Sequence, residues 1–436
     1  MKRKNIVFNT WPSEYASRLA INQAMNLLEE GESVLLIDTS PLTFAIYGTL
    51  HKSYLYNSHR LTMLLRYLFR KESFYINSRK IKKLLRKNNQ SITTQIWYPR
   101  LKFSRKRIFS CSERYEILAA LWFDARGSTF SKSSIFARLV LKYKFFLLEQ
   151  SLLHYVSKLN VSERWFIFNG RFPIDRILAK TASQSNIIKY FYEVSMNGKS
   201  LSVYAESPHS YTEHRNKALQ FWFKSDSQLR EREAEDYLNG RLHKLDESIR
   251  FWTVNQEAGL IRSFPKKKIY SFFLSTEGEL ASLKSFNQTS LFNNQWEALN
   301  FLISELDFSR IHLVVRGHPH FASTSSSDPF LSKGFDQFMK RGLISYIKAN
   351  DSDDSIALLT ISELVFVFDS SIGIDAISLE KPLVIFGAPF FSSVLDNKNQ
   401  NVKQIDLNEP SNFLYDRKSI HPWAFYCKKY GKPLII

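Results

Sequence analysis

The chain has 436 residues, 44% of them hydrophobic and 23% charged, which is enough for two ordinary domains with a substantial core. Its two cysteines, Cys111 and Cys427, are too few for a disulfide framework or a thiolate metal site. The net charge of +19 is uneven: residues 51–110 carry sixteen Lys or Arg against one acid, Glu72.

The first residues, "MKRKNIVFNTWPSEY", are basic but lack the apolar stretch of a signal peptide. No apolar run reaches the roughly 18 residues of a membrane-spanning helix. The expected setting is therefore the reducing cytoplasm, peripheral to the inner face of the cell membrane.

The chain opens as α/β. Ile6–Phe8 reads as a strand, residues from Pro12 to about Glu30 as a helix, and Ser33–Asp38 as a second strand after the turn at Gly31. Residues 51–110 then interrupt the pattern as a basic helical insertion, with Leu, Tyr and Phe among the cations at roughly helical spacing. Such a segment suits an anionic membrane surface or an anionic polymer, with a plain solvated face as the bland alternative; no nucleic acid partner is expected. A long helix, Ser133–Leu159, is apolar on more than one face and should be buried.

The α/β rhythm resumes with strand Trp165–Phe168, helix Pro173–Ala182 and strand Ile187–Tyr192. Residues 205–258 are polar and helical, and read as a connecting region. A second series begins at Ile269–Leu274 and continues through strands Ile311–Val315, Leu343–Ile347, Leu364–Phe368 and Leu383–Phe386. The expectation is two Rossmann-like domains, 1–255 and 262–436 with a C-terminal tail, whose parallel sheets face a central cleft. Ligands of such sheets sit at the C-terminal ends of the strands.

Three of those ends in the second half are polar: "STEGEL" with Glu277 and Glu279, "RGHPH" with Arg316, His318 and His320, and "DSSIGID" with Asp369, Ser370, Ser371, Gly373 and Asp375. Ser370 and Ser371 precede a helix, where hydroxyls and free backbone N–H groups hold an anion or simply cap the helix. Gly373 would let a phosphate approach the backbone, and Asp375 could accept from ribose hydroxyls. Arg316, His318 and His320 add anion contacts. Glu277 or Glu279 could act as a general base, or cap the next helix. No GxGxxG or Walker sequence occurs, which disfavours a dehydrogenase or P-loop NTPase, and no metal-ligand set is evident.

Together these loops resemble bacterial capsule polysaccharide biosynthesis proteins of the Kdo-transferase type, and more distantly bacterial sialyltransferases. The resemblance rests on His318-Pro319, on Ser370-Ser371, on the continuation "GIDAISLEKPLVIFG", and on "FNGRFPIDRILAK" and "YFYEVSMNGKS" in the first half. It implies a glycosyltransferase of GT-B architecture, with an acceptor-side first domain and a nucleotide-sugar-binding second domain. It also implies a metal-independent transfer from a nucleotide-sugar donor, of Kdo or a related acidic sugar, to a lipid-linked or polysaccharide acceptor. The nucleotide-sugar is a substrate and no cofactor is expected. His318, Ser370 and Ser371 would neutralise the departing phosphate, and Asn169, Arg171, Asn197 and Lys199 would stand on the acceptor side. A teichoic-acid-type glycerophosphotransferase and a non-catalytic basic polymer-binding protein are the alternatives.

Overall fold

Parallel strands covered by helices on both faces are apolar throughout, whereas half-exposed strands alternate. The central strands of this chain, such as Arg164–Phe168, Ile311–Arg316 and Leu364–Val367, are of the first kind, and the strands build two sheets. The computed structural model describes residues 4–10, 14–38, 93–96, 117–118, 135–156, 164–245, 253–275, 290–319, 330, 334–396, 407 and 409–434. Glu277, Glu279, His320 and the basic segment 51–110, apart from Thr93–Ile96, lie outside these residues.

The first series runs β1 (Lys4–Asn9), α1 (Glu14–Glu29), β2 (Ser33–Asp38), β3 (Thr93–Ile96), α2 (Ile135–Val156), β4 (Arg164–Phe168), α3 (Pro173–Gln184), β5 (Lys189–Val194) and β6 (Ser200–Tyr204). Two helices follow, α4 (Tyr211–Lys224) and α5 (Ser227–Leu242). The second series is β7 (Lys268–Phe273), α6 (Gln295–Glu305), β8 (Ile311–Arg316), α7 (Asp336–Lys340), β9 (Ile344–Ile347), α8 (Ser355–Ile361), β10 (Leu364–Val367), α9 (Ile372–Ser378) and β11 (Leu383–Ile385). The chain closes with α10 (His421–Lys429) and β12 (Lys432–Pro433).

The first sheet has the order β12-β6-β5-β4-β1-β2-β3 and the second β11-β10-β7-β8-β9. In each, the series starts at a central strand and is wound to both sides, which is the Rossmann-like arrangement. The second sheet is parallel throughout. In the first, β6 alone runs against the rest, antiparallel to both of its neighbours, β5 and β12. The hairpin between β5 and β6 is too short for a crossover, so the strand after it has to reverse.

Period-two alternation sends successive side chains to opposite faces. Ile6, Phe8, Trp165 and Ile167 pack with α2 and α3, while Val7, Leu36 and Phe166 pack under α1. In the second sheet Tyr270, Phe272 and Phe366 lie on the α6 side, and Val314, Val365 and Val367 on the side of α9 and α10. The C-terminal half of α2 is buried as expected, but Leu139 and Tyr143 are exposed.

The chain divides into two compact units: Met1–Ser195 with Lys199–His209 and Gly431–Ile436, and Met196–Gly198 with Ser210–Tyr430. The expected boundary at 255–262 thus moves to 209–210. Its physical reason is the cluster Ala218, Trp222, Ala234 and Leu238, which joins α4 and α5 to the core of Val314, Val365 and Tyr426. Those helices are core elements of the second unit, not a connector. The last residues leave that unit at Gly431 and add β12 to the first sheet.

Candidate functional site

A doubly wound sheet opens a crevice where neighbouring strands send their connections to opposite sides. In the second unit that point lies between β7 and β10. Phe273 pairs with Val367 and with Arg316, so the residues two steps beyond are Ser275, Asp369 and His318, at one height on one edge.

Ser275 is buried and locked. Gln295, at the start of α6, accepts from its N–H and donates to its carbonyl at 2.8 and 3.0 Å. The Ser275 hydroxyl accepts from the Asp369 N–H at 2.9 Å. Asp369 Oδ1 accepts from the Ala388 N–H at 2.7 Å, which ties β10 to the loop after β11. The two serines that follow are not used in this way. Ser371 stands at the N-cap of α9 yet makes no capping bond, and neither hydroxyl has a hydrogen-bond partner among the described residues. Ser370 is half-buried and Ser371 is exposed.

His318, half-buried, follows Gly317. A Cβ on Gly317 would meet the Tyr346 hydroxyl at 2.7 Å and the Ala349 nitrogen at 3.0 Å, so glycine there lets the β9 loop press against the "RGHPH" turn. Three expected site residues have other tasks. The Arg316 guanidinium is buried and donates to the carbonyls of Lys348 and Asp351, at 2.8 and 3.3 Å. Burial lowers its pKa, against the pull of Asp353 and Asp351. Asp375 is buried and gripped by Arg241 through two bonds of 2.8 and 2.7 Å, while the same guanidinium reaches the Ser371 carbonyl at 3.2 Å. Burial alone would lower the Arg241 pKa; the Asp375 carboxylate outweighs it and raises it. Asp375 therefore holds α5 and is not offered to a ribose. Gly373 is required by packing, because a Cβ there would come 2.5 Å from the Phe391 ring.

The first unit has a second polar edge, which the strand pattern did not reveal. Phe8 pairs with Ile167 and Ile167 with Phe191, so Thr10, Asn169 and Glu193 stand two residues beyond at one height. Asn169 adopts the left-handed conformation, φ 53°, with Gly170 at 81°. Its Nδ2 donates to Glu193 Oε2 at 2.5 Å, and its Oδ1 accepts from His209 Nε2 at 3.0 Å and from the Arg171 N–H at 3.2 Å. Glu193 Oε1 accepts from the Tyr15 hydroxyl at 3.3 Å and the Val194 N–H at 2.9 Å. Burial pushes the Glu193 carboxyl up; Asn169, Val194, Tyr15 and the charge of Arg171 pull it part of the way back.

Behind it lies Asp175, in the first turn of α3 and fully buried. Burial pushes its carboxyl well above the usual range, and the negative charge of Glu193 adds to this. The Thr10 hydroxyl and the N–H groups of Phe172 and Gly170 oppose the shift, but without closing to full hydrogen bonds at either oxygen. The expected acceptor-side residues divide. Asn169 and Arg171 belong to this edge. Asn197 lies in the turn after β5, where it donates to the Lys428 carbonyl at 3.3 Å, and the exposed Lys199 offers its carbonyl to the Leu434 N–H at 3.2 Å.

Among the described residues no group of three or more His, Cys, Asp or Glu is placed to hold a metal ion, and no helix is long and apolar enough to cross a membrane.

No family model and no curated protein matches the chain. Among solved structures it is similar to a Thermosulfurimonas dismutans KpsC, beta Kdo 2,7 transferase, at 15% identity over 68% of this chain and 88% of that one, with a TM-score of 0.37. A KpsC beta Kdo 2,4 transferase of the same organism aligns at 16% identity over 61% and 78%, with a TM-score of 0.39. The wall teichoic acid polymerase TagF aligns at 12% identity over 98% and 83%, with a TM-score of 0.21.

Proposed function

We propose that the chain is a metal-independent glycosyltransferase that moves a sugar from a nucleotide-activated donor to a capsule or other surface-polysaccharide acceptor. The observation that carries this reading is the Ser370–Ser371 pair: two hydroxyls without partners among the described residues, at the switch point of a Rossmann-like sheet and at the same edge as His318. A phosphate leaving group needs donors already aimed where charge develops, and two hydroxyls with an imidazole supply them. His318 stands two strands from Ser370, or about 10 Å at the usual strand spacing, a span suited to a diphosphate or a phosphate with its sugar. Glu277 and Glu279 are this reading's base candidates, in residues outside those described.

The test is nucleotide release from a panel of CMP- and UDP-sugars with CDP-glycerol included. A sugar donor is expected to be turned over, and His318→Ala to lose about 100- to 1000-fold in turnover with an unchanged melting temperature. Release from CDP-glycerol alone moves the assignment to a glycerophosphotransferase. No release from any donor, or full activity in His318→Ala, overturns the reading.

The basic segment 51–110 fits this role by drawing the chain to anionic lipid, at about 1 kcal/mol per cation near the surface. Co-sedimentation with phosphatidylglycerol vesicles should fall steeply as salt rises. Equal binding to neutral vesicles would remove this part of the proposal.

A further inference from the structure

The buried face of α5 ends on a cation. Ala234 and Leu238 are fully buried in the second core, and the next residue at helical spacing, Arg241, is buried beside them. Its Nε and one terminal nitrogen hold the two oxygens of Asp375 at 2.8 and 2.7 Å, and that same nitrogen donates to the Ser371 carbonyl at 3.2 Å. Tyr237 lies alongside, its ring centre 5.9 Å from the guanidinium carbon. A second arginine fastens the other end of α9. Arg417 donates to the Ser378 carbonyl at 2.5 Å, and to Glu235 and Asn239 of α5 at 2.7 and 3.0 Å.

Stability does not explain an ion pair at the first of these ends. The desolvation of a buried pair can exceed its attraction, and an apolar pair of similar volume commonly serves a core as well. An apolar pair, however, cannot hold the Ser371 carbonyl. The planar fork of arginine can, because it grips the carboxylate with two N–H groups and keeps others for a further acceptor. That bond fixes the peptide plane following Ser371. Within the turn, the Gly373 and Ile374 N–H groups donate to the carbonyls of Ser370 and Ser371 at 3.3 and 3.0 Å. The backbone of both serines is thus held, and among the described residues neither hydroxyl is used in holding it.

We propose that Arg241 is a positioning residue for the donor site: through the Ser371 carbonyl and Asp375 it fixes the turn that presents the Ser370 and Ser371 hydroxyls. The inference rests on the proposed function for what those hydroxyls bind. It gives α5 a task beyond packing, as a splint along α9 that sets the direction of both hydroxyls before a phosphate arrives. Donors fixed in advance need no reorganisation as charge develops, and a misplacement of about 1 Å can cost about 100-fold in rate. Asp375 compensates the guanidinium, so Arg241 supplies direction to the site and not net charge.

Arg241→Met combined with Asp375→Leu keeps an apolar contact between α5 and α9 and removes the grip on the carbonyl. Hydrogen exchange, and turnover of the sugar donor identified in the nucleotide-release panel, are measured on this double variant, on Ser371→Ala and on all three changes together. Urea midpoints check the fold. The Gly373 and Ile374 amides should exchange about tenfold faster in the double variant. Turnover should fall about tenfold, as a misdirected donor would cause. In the Ser371→Ala background the same two changes should cost about threefold or less, because residues that act as a unit are not additive. Should the double variant fail to fold, Arg241→Lys keeps a cation for Asp375 without the fork, and should show the same faster exchange and loss of turnover. Unchanged exchange or unchanged turnover overturns the proposal, as does an equal loss in both backgrounds. If the unmodified chain turns over no donor, the donor reading fails on its own, and the exchange comparison still decides whether Arg241 fixes the serine turn.

Discussion

The two sheets carry the same scaffold with opposite chemistry at the crevice. Asn169 in the first and Asp369 in the second each stand two residues past a paired strand level, and each uses its side chain to tie the neighbouring strand end. Beyond them the edges diverge. The next strand offers Glu193 in the first sheet and Gly387 in the second, where a Cβ would collide with the Asp369 side chain at 2.5 Å. Six residues past each tie comes a buried aspartate, Asp175 or Asp375. Asp375 has Arg241; Asp175 has no ion-pair partner among the described residues. The apolar strands fix the strand order, and a few residues past the last pair set the chemistry of the edge: two hydroxyls and an imidazole in the second sheet, carboxyls in the first.

The largest effect should come from making the second aspartate resemble the first. Arg241→Met leaves Asp375 buried and unpaired, which costs about 3–5 kcal/mol in denaturant unfolding. Adding Asp375→Leu should restore most of it, because a buried ion pair replaced by apolar groups is often neutral. If Arg241→Met alone is neutral, the pair does not hold α5 to α9.

Much of this contrast was legible in the amino-acid sequence, and the rest was hidden for identifiable reasons. Strands such as Ile269–Leu274 and Leu364–Phe368 announced themselves because sheets covered on both faces are continuously apolar. His318, Ser370 and Ser371 were readable as polar residues at the ends of such strands. Arg241 was not, since it stands in a charge-rich helix 134 residues from its partner. The same charge masked the four-residue spacing of Ala218 with Trp222 and of Ala234 with Leu238, which makes α4 and α5 part of the second core. Glu193 is a lone acid among aromatic residues, and nothing local signals that Asn169 will meet it. The return of Lys432–Pro433 to the first sheet is a long-range pairing that two residues cannot encode.

Asp175 sharpens the comparison through pH. Its folded-state pKa lies above the unfolded value of about 3.9, so the folded chain keeps a proton that the unfolded chain releases. This stabilisation is fully present below pH 4 and is lost as pH rises toward the folded pKa, by up to about 1.4 kcal/mol per pH unit. Glu193 contributes with the same sign. Asp175→Asn stays neutral at every pH, so it should gain stability relative to the unmodified chain as pH rises from 4.5 to 7.5 in urea titrations. A difference that is constant with pH would mean that Asp175 is ionised in the folded protein.

The smallest effect separates a ligand residue from a helix cap. Asp354 caps α8 by accepting from the Ile356 N–H, also accepts from the Gly259 N–H, and pairs with Lys244. Truncating a capping side chain of this kind costs about 1 kcal/mol from the cap alone. Ser371 occupies the corresponding N-cap of α9 without making such a bond and is exposed, so Ser371→Ala should leave stability within about 0.5 kcal/mol. Its effect should fall on the donor instead. Loss of one hydroxyl donor to a charged phosphate costs about tenfold in turnover, less than His318→Ala, because Ser370 and the backbone N–H groups of the loop remain. Melting and nucleotide release measured on the same preparation make the distinction. Lower melting with unchanged turnover would make Ser371 a cap, and would leave the second sheet's edge without the feature that sets it apart from the first.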